Sequence, residues 1–191
     1  MTVIIAISGK IESGKDTVAN AIDREYRFKT HTYRTAFAYP LKELCVNVLG
    51  LTVKQCYSDK NDFVKHLGMS AREVMQIFGT ECVRRWFGNV WADAAVRRIR
   101  SCGADLATIS DCRFRDEVET ILKQPQGYVI RLTRSPNIDA HSSESDLDGF
   151  NWGHERCFVV DNAKMTLEEQ DVAVLSIVDK IWKDTYPLGL L

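Results

Sequence analysis

Gly9, Gly14 and Lys15 stand in the spacing Gly-x4-Gly-Lys, between the apolar run 2–7 and a helical pattern that begins near Thr17. A glycine loop placed between strand and helix can turn its backbone N–H groups around phosphate oxygens, and the helix start adds further donors and the positive end of its dipole. Ser13 lies inside that loop, and Lys15 supplies a mobile cation suited to β- and γ-phosphates. The usual pattern follows the lysine with Ser or Thr to hold magnesium; here the position is Asp16, and the hydroxyl comes one residue later at Thr17. A second group, Asp111 and Arg113, closes the apolar run 106–110, and open parallel sheets bind their ligands at the carboxyl ends of strands. Asp111 could hold magnesium, directly or through water, orient an acceptor, or simply cap a helix over 116–123. Arg113 could grip a phosphate with its planar fork or form a surface ion pair. Third come Arg131 and Arg134, leading into the polar stretch 135–153. Phosphoryl transfer spreads negative charge over the moving group, so a late-arriving arginine such as Arg134 can stabilise it and exclude water, whereas Arg131 lies within the strand alternation and also fits a structural role.

The elements that would position these groups are legible as alternating patterns. Apolar strands are expected at 3–8, 32–37, 106–110, 128–133 and 157–160. Helices are expected at 17–26, at 41–49 after Pro40, from the capping box Ser70 to Glu73 to an end near Gly79, at 91–100, and after the capping box Thr166 to Glu169. This alternation predicts an α/β fold of three layers, a parallel five-stranded sheet covered on both faces. The 191 residues suit one domain. Residues 51–91 show no core strand and read as an inserted helical region; residues 134–153 read as a lid.

Composition narrows the function classes. Apolar residues make up 45% and charged residues 27%, which supplies a core and argues against disorder. A net charge of −1 argues against broad binding to nucleic acid polymers or anionic membranes, so anion binding must be local. The arginines at 84, 85, 97, 98 and 100 read as solvated helix faces, although Arg84 or Arg97 could face an acceptor. Six scattered cysteines with no Cys-x2-Cys pair read as buried, reduced thiols. No leader or long apolar run is seen, so a cytoplasmic setting is expected, that of the host if the chain is of phage origin. Glu144, Asp146, Asp148, Gly149 and Glu155 approximate the spacing of a calcium loop, but Glu at the first position and Asn151 at the eighth make the match an accident; His141 and His154 lack partners at zinc-ligand spacing.

Taken together, the loop from Ser8 to Asp16, Ile109-Ser110-Asp111-Cys112-Arg113-Phe114, and Arg131-Leu132-Thr133-Arg134 followed by His141-Ser142-Ser143-Glu144 resemble the phage and bacterial deoxynucleoside monophosphate kinase family, within the P-loop NTPases. The resemblance runs through nearly the whole chain and includes Ala38-Tyr39-Pro40-Leu41-Lys42, the segment from Arg72 to Glu81, and Trp91. In that family Asp after the loop lysine is a recurring form. The resemblance implies ATP-dependent phosphorylation of a (deoxy)nucleoside monophosphate, giving ADP and a diphosphate, with Mg2+ bridging the donor phosphates. It implies Gly9, Ser13, Gly14, Lys15, Asp16 and Thr17 for the donor phosphates, and Asp111, Arg113 and Arg134 beside Lys15 for catalysis. Lys42, Arg72, Gln76, Trp91 and Arg113 would serve the acceptor, making the insert the acceptor-binding region, and Asp16, Thr17 and Asp111 the metal. Lys42 and Arg72 equally fit solvated charges, Gln76 a surface amide and Trp91 a core aromatic. The expected partners are small nucleotides, and the apolar end 188–191 could pack on the core or in a homodimer. Phosphomevalonate kinase resembles the same Ser-Gly-Lys loop and Ser-Asp-x-Arg strand end, so a different phosphorylated acceptor is the alternative. A regulatory nucleotide switch fits less well: Asp146 to Gly149 follows no apolar strand and no Asn-Lys-x-Asp motif is present. A non-catalytic nucleotide-binding module is disfavoured by Lys15, Asp111 and Arg134 occurring in one chain.

Overall fold

The computed structural model describes residues 1–134 and 146–187. In chain order the elements are β1 Val3–Ser8, α1 Lys15–Tyr26, β2 Thr32–Thr35, α2 Ala38–Asn47, α3 Val53–Tyr57, β3 Phe63–Val64, β4 Met69–Ser70 and α4 Ala71–Gln76. A π-helical segment Ile77–Arg84 follows, then α5 Arg85–Phe87, α6 Val90–Cys102, β5 Leu106–Cys112, α7 Arg115–Leu122, β6 Gly127–Leu132, β7 Cys157–Val160 and α8 Leu167–Thr185. The chain divides into two compact units, Met1–Ala36 with Val96–Leu191, and Phe37–Ala95.

In the first unit five parallel strands pair in the order β2-β5-β1-β6-β7. β1 is central and every residue of it is buried, as both faces of a covered parallel sheet require. Its Val3, Ile5 and Ile7 pack with Val18, Ile22 and Tyr26 of α1 and Val174, Val178 and Ile181 of α8. The connection from β1 to β2 runs toward one edge, while that from β5 to β6 passes β1 toward the other. Right-handed crossovers in opposite senses place α1 and α7 on opposite faces, and they make the carboxyl end of β1 a topological switch point. α7 returns into β6 through Gly127, where a Cβ would overlap the Ile121 carbonyl oxygen.

The second unit has its own core of Cys45, Leu51, Cys56, Val64, Ala71 and Val74. Thr52 with Gln55 and Ser70 with Glu73 form capping boxes at α3 and α4. β3 and β4 make a two-residue antiparallel hairpin outside the main sheet.

Several boundaries differ from expectation. The helix expected to stop near Gly79 continues to Phe87. Gly79 is buried, and a Cβ there would lie 2.5 Å from Leu41 Cδ2, so this glycine serves packing; the stop is Gly88, at φ 56. α1 starts at Lys15, two residues early, because Gly14 takes the N-cap position in the left-handed region. β2 ends at Thr35 and Phe37 becomes the residue before α2, whose Pro40 still lies in the first turn. Cys82 is exposed, unlike the buried Cys45, Cys56 and Cys112, and all six cysteines are free thiols. The lid residues 135–145, with His141 and Glu144, and the apolar end 188–191 lie outside the described residues. Among the described residues no helix is long and apolar enough to cross a membrane.

Candidate functional site

The carboxyl edge of the main sheet gathers most of the chemistry-bearing residues of the first unit. From buried Ser8 the chain turns at Gly9, where a Cβ would overlap Ser13 Oγ and come within 3.2 Å of the Leu132 carbonyl oxygen. Glu12, at φ 59, is the one non-glycine with positive φ among the described residues, and Gly14 has φ 96. Left-handed residues of this kind turn successive N–H groups toward one side, and a non-glycine held there is strained backbone of the sort that accompanies ligand sites. α3, α4 and α8 are capped by Thr52, Ser70 and Thr166, whereas α1 has Gly14 at its N-cap and no side-chain cap. A helix start without a capping hydroxyl is a favourable place for an anion. Lys15 is 7% exposed, and its ammonium donates to Gly9 O at 2.7 Å and Lys10 O at 2.6 Å, so it spans the loop mouth.

The loop is braced from behind. Wholly buried Asn162 donates from Nδ2 to Ser13 O at 2.9 Å and to Gln170 Oε1 at 2.5 Å. Its Oδ1 accepts from the Arg134 backbone N–H at 2.8 Å. Gln170, also wholly buried on α8, stands where a Cβ at Gly14 would come within 2.9 Å of its Oε1. The Arg134 guanidinium bonds Asn162 O at 2.8 Å and Met165 O at 2.6 Å. Beside it, a hydrogen bond from the Thr133 hydroxyl and another from Ala163 N–H hold the Asp161 carboxyl below the usual range.

Asp16 faces two donors. Arg34 Nη2 lies 2.8 Å from its Oδ1 and the Ser110 hydroxyl donates to the same oxygen at 2.9 Å. Ser110 and Asp111 sit where the β1–β5 register slips, Ala6 pairing Ile109 but Ser8 pairing Cys112, so β5 carries one extra residue. Such a bulge re-aims side chains at a strand end. Thr17 is half-buried in the first turn of α1 and Asp111 half-buried at the end of β5. Among the described residues no cluster of three or more His, Cys, Asp or Glu could hold a metal. Buried Glu117 closes the start of α7, accepting from the backbone N–H groups of Arg113 at 2.8 Å and Phe114 at 3.1 Å.

Residues 146–148, in the stretch expected to form a lid, bond to this edge. Arg115 donates to Asp146 Oδ2 through its backbone N–H at 2.7 Å and to Asp146 O through Nε at 2.9 Å, and Lys10 pairs with Asp148 at 3.3 Å. Arg131 bonds Ser8 Oγ at 3.0 Å and lies 5.4 Å from the Trp152 ring centroid.

The acceptor candidates other than Arg113 belong to the second unit. Lys42 Nζ lies 3.8 Å over the Tyr57 ring and 5.8 Å from that of Tyr39. Arg72 is exposed and donates from Nε to Asn61 Oδ1 at 3.1 Å; Gln76 ends α4, half-buried. Trp91 is 8% exposed with its indole N–H on Gly79 O at 3.0 Å, so most of its ring faces protein.

Arg34, Asn162 and Gln170 were missed in the sequence. A signal existed for the first two: Arg34 is the penultimate residue of β2 and Asn162 lies two residues past β7, both at the carboxyl edge that already singled out Asp111 and Arg134. Gln170 could be found only as a polar residue on an otherwise apolar helix face.

No protein-family model matches the chain, and no curated protein matches it. Among solved structures, the crystal structure of shikimate kinase from Aquifex aeolicus vf5 aligns over 96% of this chain and 99% of its own, at 15% identity and a TM-score of 0.44. So loose a likeness carries neither substrate nor site residues across.

Proposed function

We propose that this protein transfers the γ-phosphoryl group of ATP to the phosphate of a (deoxy)nucleoside monophosphate. The observation that carries the reading is the loop from Gly9 to Lys15, closed on Ser13, left-handed at Glu12 and Gly14, and leading into a helix with no side-chain cap. A Cβ at Gly9 or Gly14 would press on that cradle, which suits a polyphosphate held by backbone N–H groups. ATP, when bound, supplies the phosphoryl group, and Mg2+ would neutralise its phosphates, met by Asp16, Thr17 or Asp111. With no protein cage for the cation among the described residues, it would enter with the nucleotide.

Lys15 exchanges a loop carbonyl for a phosphate oxygen, and Arg134 leaves the Asn162 and Met165 carbonyls to meet charge developing on the moving group. Within the second unit Lys42 and Arg72 would serve the acceptor phosphate and Gln76 its base, with Trp91 supporting that region from within; Arg113, in the first unit, is assigned to the acceptor by the family resemblance. The acceptor is already an anion, so alignment and charge neutralisation suffice without a general base. The test is product formation from radiolabelled ATP across the common ribo- and deoxynucleoside monophosphates, with phosphomevalonate as the comparison acceptor. A labelled nucleoside diphosphate is expected; label only on the phosphomevalonate would favour a phosphomevalonate kinase-like activity, and hydrolysis indifferent to every acceptor would reject transfer.

A further inference from the structure

Asp16 poses a problem for an anion site: it places a carboxylate in the first turn of α1, beside Lys15, where donor phosphates would approach. Its side chain is 78% exposed, and that of Arg34 is 32% exposed. An ion pair so open to water adds little to folding, so its placement calls for another reason. Arg34 reaches across from β2 with both outer nitrogens committed to α1, Nη2 to Asp16 Oδ1 at 2.8 Å and Nη1 to Asn20 Oδ1. The bulge in β5 brings Ser110 Oγ to the same Asp16 oxygen at 2.9 Å. Two donors converge on Oδ1 and tie the carboxylate to β2 and β5. Arg34 Nε is buried with no partner among the described residues, so the guanidinium sits where Asp16 and Asn20 require it rather than where its own hydrogen bonding would be complete.

We propose that Arg34 is a positioning residue of the donor-phosphate site: it cancels the charge of Asp16 and orients that carboxylate, allowing a loop with an acid after its lysine to accept a polyphosphate. The role rests on the phosphoryl-transfer reading above and adds a residue from a different strand to it. Charge repulsion acts between like charges at a few ångströms and weakens with distance and dielectric. Arg34 therefore matters through Asp16 and not through a contact of its own with the nucleotide.

A double-mutant cycle reads this directly. ATP binding is measured by calorimetry in EDTA and again in magnesium for wild type, Arg34→Gln, Asp16→Asn and the double variant, with thermal melts recorded on each. Arg34→Gln should weaken magnesium-free ATP about tenfold, one pKa unit's worth of interaction, while the double variant stays within about twofold of Asp16→Asn alone. Arg34→Lys keeps the charge but loses the fork, and about a threefold loss is expected. The same tenfold loss in the Asp16→Asn background would overturn the proposal by making Arg34 a direct phosphate ligand. It would equally be overturned by unchanged binding in Arg34→Gln, or by Arg34→Lys losing as much as Arg34→Gln. Failure of the wild type to bind ATP at all would instead reject the phosphoryl-transfer reading, and this role with it.

Discussion

At the scale of single residues, the proposed phosphate loop makes demands that separate catalysis from folding. Lys15→Ala removes a cation that bonds the Gly9 and Lys10 carbonyls, so turnover should fall by about 10²–10³-fold, the range for one lost preorganised donor, with the fold intact by circular dichroism. Arg134→Ala should lower kcat by a similar factor while ATP affinity, measured by titration, moves only a few-fold; equal losses in both would mark ground-state binding. Asn162→Ala behaves in the opposite way. It strands Ser13 O, the Arg134 N–H and Gln170 Oε1 inside the protein, and chemical denaturation should show a loss of about 1–3 kcal/mol. The turn through Gly9 and Gly14 into a helix at Lys15 was legible because it depends on local spacing. For Arg34 and Asn162 the sequence offered their place at the carboxyl edge but not their contacts, because their partners lie 18 and 149 residues away and no local pattern encodes such a meeting.

At the scale of elements, strands β1 and β7 were readable to the residue, since each is a short apolar run bounded by turn signals. The end of α4 was misread because a glycine is ambiguous in sequence: Gly79 makes room for Leu41, while Gly88 supplies the positive φ that stops the chain. Gly127 is a third kind, required where α7 meets β6. Gly127→Ala drives a methyl into the Ile121 carbonyl and should cost about 3 kcal/mol, read from the midpoint of urea unfolding. The helix caps carry a pH signature. Glu73 is held below its ordinary value by hydrogen bonds from the Ser70 hydroxyl and then the Ser70 N–H, and Glu169 by the Thr166 N–H and then its hydroxyl. Carboxylates with depressed folded-state values contribute stability that is present above the ordinary Glu pKa of about 4.3 and is lost as the pH falls through the folded value. Melting temperature should therefore hold from neutrality down to that range and drop below it, and Glu73→Gln with Glu169→Gln should flatten the drop.

At the scale of the whole molecule, the α/β class and the five parallel strands were legible because alternation of apolar runs with amphipathic helices leaves few arrangements that bury both. The strand order was not, since nothing in the spacing of strands says that β5 inserts between β1 and β2. The boundary of the second unit was blurred for a related reason: α6 carries one apolar face through residue 95, so the division between units falls inside a continuous helix that no composition shift marks. The Gln170 brace has a temporal corollary. During synthesis the glycine loop leaves the ribosome well before the Gln170 amide that backs it, which follows the last of the described sheet strands. Nucleotide therefore cannot act as a template for the nascent chain, and a polypeptide released before α8 should fail to retain ATP on a filter however intact its first strand and helix.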